Sequence, residues 1–398
     1  MIENDVVIRI AARGDGATAS GRHVPGAVPG DAVLPDGTLV AGPHHVSPPC
    51  RHFGACGGCE LQYGDDVVLA QFVTERVVYA AEGQGIVAEQ VHPVHLSPPH
   101  SRRRATLHAV NGGGGPLIGF REGGSHRIVG LKECPVLAPE LFALIAPLHT
   151  MLKSRKGKYA LDVTLTLTDQ GVDVGFKGLT LEGLAQTEAV LDFARDHKLA
   201  RLTLDQGYGP EAMWEPEPVT VSLAGVPVGF PPGAFLQATA DGEAALASSA
   251  REWLAGSRTI ADLFSGLGTF AFALVGDAKV LAVEAAQDAH FACKAAAARM
   301  RIPVHAMHRD LFRNPLQPDE LNRFDAVLLD PPRAGAREQI KALAQGTVAR
   351  IVYVSCNPIS WARDARILAD AGYRLAQLRP VGQFRWSTHV ELISLFVR

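Results

Sequence analysis

At 398 residues the chain is long enough for two or three domains, each with its own core. Hydrophobic residues at 47% and charged ones at 20% describe an ordinary globular protein, and no apolar run approaches the roughly 20 residues of a membrane span. A net charge of −3 gives no global sign of nucleic-acid binding, so any such contact must be local.

Met1 to Asp5 lacks the basic and apolar regions of a signal peptide, so a cytoplasmic address is expected. Residues 1–42 read as short strands with glycine turns, from Val6–Ile10 through Gly14-Asp15-Gly16 to His23-Val24-Pro25-Gly26. That pattern suits a small β-barrel or part of one. Residues 43–221 form a mixed α+β region holding Cys50, Cys56, Cys59 and Cys134, with a clean strand alternation over Leu161–Leu167. Two basic clusters lie here: Arg102, Arg103, Arg104, Arg121, Arg127 and Lys132, then Lys153, Arg155, Lys156 and Lys158. Either could touch phosphates or form a solvated face.

Around Gly233 the texture changes, and residues 222–398 alternate strands with helices. An Ala-rich helical segment over 237–255 leads into a strand over 259–264. Strands follow at 279–284, 304–307, 326–330 and 350–355, with helices at 287–299, 337–344 and 360–371, and a closing strand over 390–397. This alternation predicts a doubly wound parallel sheet.

The loop Ser265-Gly266-Leu267-Gly268 needs small residues to turn tightly and let a ligand approach its backbone. Glu284 ends the next strand, where a carboxylate can take both ribose hydroxyls, and Asp310 follows the third, near where an adenine would lie. Asp262, before the glycines, is placed to meet a charged amino group, which favours S-adenosylmethionine. The rival is a dinucleotide site, since Gly266-x-Gly268-x-x-Ala271 also fits that spelling.

Asp330-Pro331-Pro332-Arg333 fixes a carboxylate at a strand end with two prolines that stiffen the loop. Cys356, in Ser355-Cys356-Asn357-Pro358, ends the neighbouring strand, where open α/β sheets place their chemistry. Its two readings are inert packing or a nucleophile, and the adjoining acid favours the nucleophile. Cys293, mid-helix among alanines, reads as packing. Glu391, at the start of the closing strand, could be a general base if it faces a pocket.

Together these residues resemble the RNA 5-methyluridine (uracil-C5) methyltransferases of the RumA/TrmA type, over nearly the whole chain. The most specific motifs are Asp330-Pro-Pro-Arg-Ala-Gly335, Val354-Ser-Cys-Asn-Pro358 and His389-Val-Glu391. The resemblance implies a Rossmann-like class I methyltransferase domain, with Cys356 as nucleophile and Glu391 as base. It also implies S-adenosylmethionine contacts at Gln237, Phe264, Thr269, Glu284, Asp310 and Asp330. Thr269 stands where relatives often carry Asn.

Spacing alone leaves Cys50, Cys56, Cys59 and Cys134 open to zinc, an iron–sulfur cluster or a Cys-Gly-Gly-Cys redox pair. The resemblance implies a [4Fe–4S] cluster of the rRNA-modifying members, and hence 23S rRNA ahead of tRNA. It likens residues 1–42 to an abbreviated TRAM (OB-like) domain. A monomer with no obligate protein partner is expected. Two other classes stay open: a catalytically silent RNA-binding or assembly protein, and a nucleotide-dependent oxidoreductase.

Overall fold

The computed structural model describes residues 5–398 apart from 113, 156 and 277, so Lys156 of the second basic cluster lies outside the described residues. Three large sheets organise the chain.

The N-terminal sheet is five-stranded and antiparallel, ordered His23–Val24, Gly16–Thr18, Asp5–Ile10, Ala32–Val33, Leu39–Val40. Its outermost strands do not pair with each other among the described residues, so of the two expected forms, a small barrel or part of one, the sheet is not a closed barrel. The buried Asp31 carboxylate accepts the amides of Val28 and Gly42 at 2.8 and 2.7 Å, closing the turn between strands.

The middle sheet has seven strands, from Ile128–Gly130 at one edge to Pro210–Trp214 at the other, centred on Tyr159–Thr168. The expected alternation there holds: Leu161, Val163 and Leu165 point into a core shared with helices Ile145–Lys153 and Gly183–Asp196.

The C-terminal sheet has nine strands. Five run parallel in the order Val304–His308, Lys279–Glu284, Thr259–Leu263, Ala326–Leu329, Arg350–Ser355. Ala326–Leu329 is buried throughout, as a strand covered by helices on both faces must be. The purely parallel expectation needs correction. Glu391–Val397 inserts antiparallel beside Arg350–Ser355 and pairs in turn with Arg374–Gly382, giving a mixed sheet. A short connection between two strands can only make a hairpin, so the last two must be antiparallel.

Residues 66–96 also pack here. Helix Asp66–Glu82 lies against helix Pro358–Asp370, and strands Gln90–Val91 and His95–Leu96 add to the edge strand Arg374–Gly382. Helix Ala240–Trp253 starts where Thr239 Oγ1 accepts the Gly242 amide at 3.1 Å. No described helix is long and apolar enough to cross a membrane.

Candidate active site

The carboxyl ends of the parallel strands form the crevice. Strand Thr259–Leu263 ends at Phe264, which takes a left-handed conformation with φ of 62°. Such a conformation is costly for an aromatic residue and clusters at ligand loops. The next residues turn through Gly266 and Gly268. A Cβ on Gly268 would stand 2.7 Å from the Phe272 ring and 2.9 Å from Cys293 Sγ, so only glycine fits. Cys293 is therefore buried packing under this loop, as expected.

Glu284 is anchored by the amides of Gly266 and Ala286, at 2.8 and 2.6 Å, beside the loop. Asp310 Oδ1 accepts the amides of Phe312 and Arg313, and the Phe312 ring sits 5.3 Å from that of Phe264. Thr269 opens the short helix Thr269–Leu274 behind the glycines. Asp262 is fully buried, and among the described residues neither of its oxygens has a hydrogen-bond partner.

Across the crevice, Asp330 follows Ala326–Leu329 and accepts Gln237 Nε2 at 3.2 Å. Its loop is pinned from below. The Arg333 carbonyl accepts Asn357 Nδ2 and Ser360 Oγ, each at 2.9 Å, tying the Asp-Pro-Pro loop to the Ser-Cys-Asn-Pro turn. Asp364 accepts the Ala336 amide and the Tyr353 hydroxyl, both at 2.8 Å, directly under Gly335.

Cys356 is half-buried at the end of Arg350–Ser355, where Asn357 caps helix Pro358–Asp370 through the Ile359 amide. Burial pushes its thiol up to about 11, with the Glu391 and Asp330 charges adding and Arg333 opposing. The thiol is thus mostly protonated at neutral pH, chiefly through burial, and any ionised carboxyl beside it adds to that. A cation entering between them would offset their charge and favour the thiolate.

Glu391 is 3% exposed, and burial with the Asp330 charge raises it to about 8. Desolvation likewise raises Asp330 to about 7 and Asp262 well above the usual carboxylate range. Asp330 keeps some solvent contact, so Glu391 and Asp262 are the more firmly desolvated pair. Three buried carboxyls round one crevice repel one another and suit a positively charged ligand. A sulfonium with an ammonium group meets that requirement. A dinucleotide, with its anionic pyrophosphate, does not.

Gln383 is a site residue that no sequence pattern revealed. It donates to both Glu391 and Gln237, yet it lies in a loop with no motif around it. Arg333 is tied to this region as well, donating to His389 Nδ1 at 3.0 Å. Burial and the Arg333 charge push His389 below its usual range, so it is a neutral acceptor.

The expected phosphate-contacting arginines divide. Arg103 is spent internally on Glu243 at 2.6 Å and on the Gln237 carbonyl at 3.0 Å. Arg102 lies 5.7 Å over the Phe384 ring and donates to the Arg104 carbonyl. Arg121, Arg127 and Lys132 are exposed.

Cys50, Cys56, Cys59 and Cys134 are unpaired thiols gathered in one region. Burial pushes Cys59 up to about 12 and also raises Cys56 and Cys134, and the neighbouring thiols add to each shift. Among the described residues, however, no three Cys, His, Asp or Glu side chains close round a single metal ion. The donor chemistry fits a thiolate-held group, while the close packing that one ion requires is not there.

Residues 230–398 match the family described as tRNA (uracil-5-)-methyltransferase. A protein of Zymomonas mobilis named as an uncharacterized RNA methyltransferase is 48% identical over 98% of this chain and 99% of its own length. The 23S rRNA (uracil(1939)-C(5))-methyltransferase RlmD of Shewanella frigidimarina is 33% identical over 89% of this chain and 82% of its own. Among solved structures, the tRNA (uracil-54, C5)-methyltransferase of Pyrococcus abyssi, in complex with S-adenosyl-L-homocysteine, superposes with a TM-score of 0.76. It covers 99% of this chain and 100% of its own at 24% identity, a likeness of fold.

Proposed function

Because the chain belongs to the RNA (uracil-C5) methyltransferase family, we propose that it methylates C5 of a uridine in RNA, with 23S rRNA as the favoured substrate. The observation that carries the reading is the crevice in which Cys356, Glu391 and Asp330 act on one another. Gln237, Phe264, Thr269, Glu284, Asp310 and Asp330 would hold S-adenosylmethionine, which when bound supplies an electrophilic methyl group.

Uracil C5 is too weak a nucleophile to take that methyl unaided. The Cys356 thiolate adds to C6, and the electron pair displaced from the C5–C6 double bond makes C5 nucleophilic. After C5 is methylated, Glu391 takes the C5 proton. The double bond re-forms, the C6–S bond breaks, and Cys356 leaves as thiolate. Asp330 and Gln237 orient the reacting groups. The target uridine must be splayed out of any helix to reach this crevice.

The four cysteines would hold a [4Fe–4S] cluster. Their Cys50-x₅-Cys56-x₂-Cys59 spacing and shared neighbourhood support this, and a cluster spans a wider thiol set than a single ion does. Its role would be structural, bracing the loop that leads to Glu391. The favoured rRNA substrate rests on the similarity to RlmD, and tRNA is the second reading. Mapping 5-methyluridine in rRNA and tRNA from strains with and without the gene tests both. Loss at one rRNA uridine is expected, loss only in tRNA selects the second reading, and no change in either overturns the function.

A further inference from the structure

Gln383 lies between the proposed base and the cofactor side of the crevice, 2% exposed. Its Nε2 donates to Glu391 Oε2 at 2.5 Å and to Gln237 Oε1 at 2.9 Å. Gln237, also 2% exposed, passes its own Nε2 to Asp330 Oδ2 at 3.2 Å. One line of donors therefore runs between two carboxyls. With Glu391 ionised its polarity is set, because turning the Gln383 amide over would put its oxygen against the Glu391 carboxylate and the Gln237 oxygen.

The backbone opposite is cut to fit. A Cβ on Gly242 would stand 2.9 Å from Gln383 Cβ and 3.2 Å from Gln383 Oε1. The first turn of helix Ala240–Trp253 thus comes close enough to clamp the amide because residue 242 has no side chain. The clamp leaves Oε1 without a hydrogen-bond partner among the described residues, a cost accepted to aim both N–H groups forward.

We propose that Gln383 is a positioning residue for methyl transfer, holding the Glu391 carboxylate on line and coupling it through Gln237 to Asp330. The proposal rests on the reading of Glu391 as the base. By donating to the carboxylate, Gln383 favours its ionised, proton-accepting form.

The test compares steady-state pH profiles of wild type, Gln383→Met and Gln383→Glu, using S-adenosylmethionine and the RNA that mapping identifies. Met keeps the length and removes both donors, while Glu keeps the length and adds an acid. The acidic limb of kcat should move to higher pH in the order Gln, Met, Glu, by about one unit for Met. At neutral pH kcat should fall roughly tenfold for Met and recover in alkali, with KM for RNA within about threefold of wild type. A role confined to packing would lower kcat equally at every pH. Limbs coinciding in all three proteins overturn the proposal. Glu391→Gln is run alongside: a stalled covalent RNA adduct upholds Glu391 as base whatever Gln383 does, and normal turnover overturns that reading itself.

Discussion

Ser355 lies opposite Leu392 on adjacent antiparallel strands. That register carries Cys356, one residue beyond Ser355, to the level of Glu391, one residue before Leu392. A slip of one residue would turn Glu391 to the other face of the sheet and leave the thiol without an acid. The apolar runs on both strands resist such a slip, since every residue of Glu391–Phe396 is buried.

Two substitutions should separate the roles of this pair. Cys356→Ala should lose turnover by at least about 10³-fold, since no other group activates C5. It should form no covalent RNA adduct. Glu391→Gln should still add Cys356 and accept the methyl, then stall, leaving a protein–RNA adduct that survives denaturing electrophoresis and carries one extra methyl by mass. Free turnover by either variant would sink the assigned role.

Stability without ligand should fall as pH rises. Glu391 sits near 8 in the folded chain against an ordinary value of 4.5, so the native state binds this proton more tightly than the unfolded state. The associated stability is complete below about pH 4.5 and is lost as pH rises through 8, a change of a few kcal/mol. Thermal melts across that range should show wild type declining and Glu391→Gln, which has no proton to lose, declining less. Parallel curves would argue against the raised carboxyl.

Binding of S-adenosylmethionine should release protons. At neutral pH Asp330, raised to about 7, is about half protonated and Glu391, raised to about 8, is largely protonated, and a sulfonium nearby favours their ionised forms. Calorimetry at pH 7 in buffers of different ionisation enthalpy should report net release of up to about one proton. S-adenosylhomocysteine keeps its ammonium but lacks the sulfonium charge, so it should release fewer. Equal values for the two ligands would contradict a crevice tuned to the sulfonium.

Gly335→Ala should loosen the Asp-Pro-Pro-Arg loop. Gly335 has φ of 79°, and an added Cβ would stand 2.5 Å from Asp364 Oδ2, itself bound to the Ala336 amide and the Tyr353 hydroxyl. Left-handed strain and this clash together should cost about 1–3 kcal/mol in denaturant unfolding. An unchanged midpoint would mean that Asp364 moves aside freely.

The parallel strands were legible because a strand buried on both faces must be an apolar run, and 279–284 and 350–355 fall where their composition predicts. Cys356, Asp330 and Glu284 were legible for the same reason: polar residues at the ends of such runs have few structural uses. Gln383 was not, because its meaning depends on Gly242 and Gln237, more than a hundred residues earlier in the chain. Arg103 misled in the opposite sense, since a basic residue in a basic cluster gives no sign that Glu243 waits inside the fold. The antiparallel insertion of Glu391–Val397 was also hidden, as an apolar run carries no direction.

The segment carrying Cys59 also braces the loop before the base. The amides of Glu60 and Leu61 both donate to the Trp386 carbonyl, at 2.8 and 2.9 Å, and the Thr388 amide donates to Glu60 Oε2 at 3.2 Å. Trp386 holds a left-handed conformation with φ of 61°, which persists only when its surroundings impose it. Arg102, over the Phe384 ring, presses the same loop from the side of Cys134. If Cys50, Cys56, Cys59 and Cys134 share a metal group, stripping it frees the Cys59 segment, and residues 384–389 lose their support. Chelation of iron, or Cys59→Ser, should therefore speed hydrogen exchange in peptides covering 384–389 and lower kcat several-fold, while exchange in the glycine loop at 265–268 stays the same. Protection of 384–389 that survives removal of the metal would show that the loop stands without it.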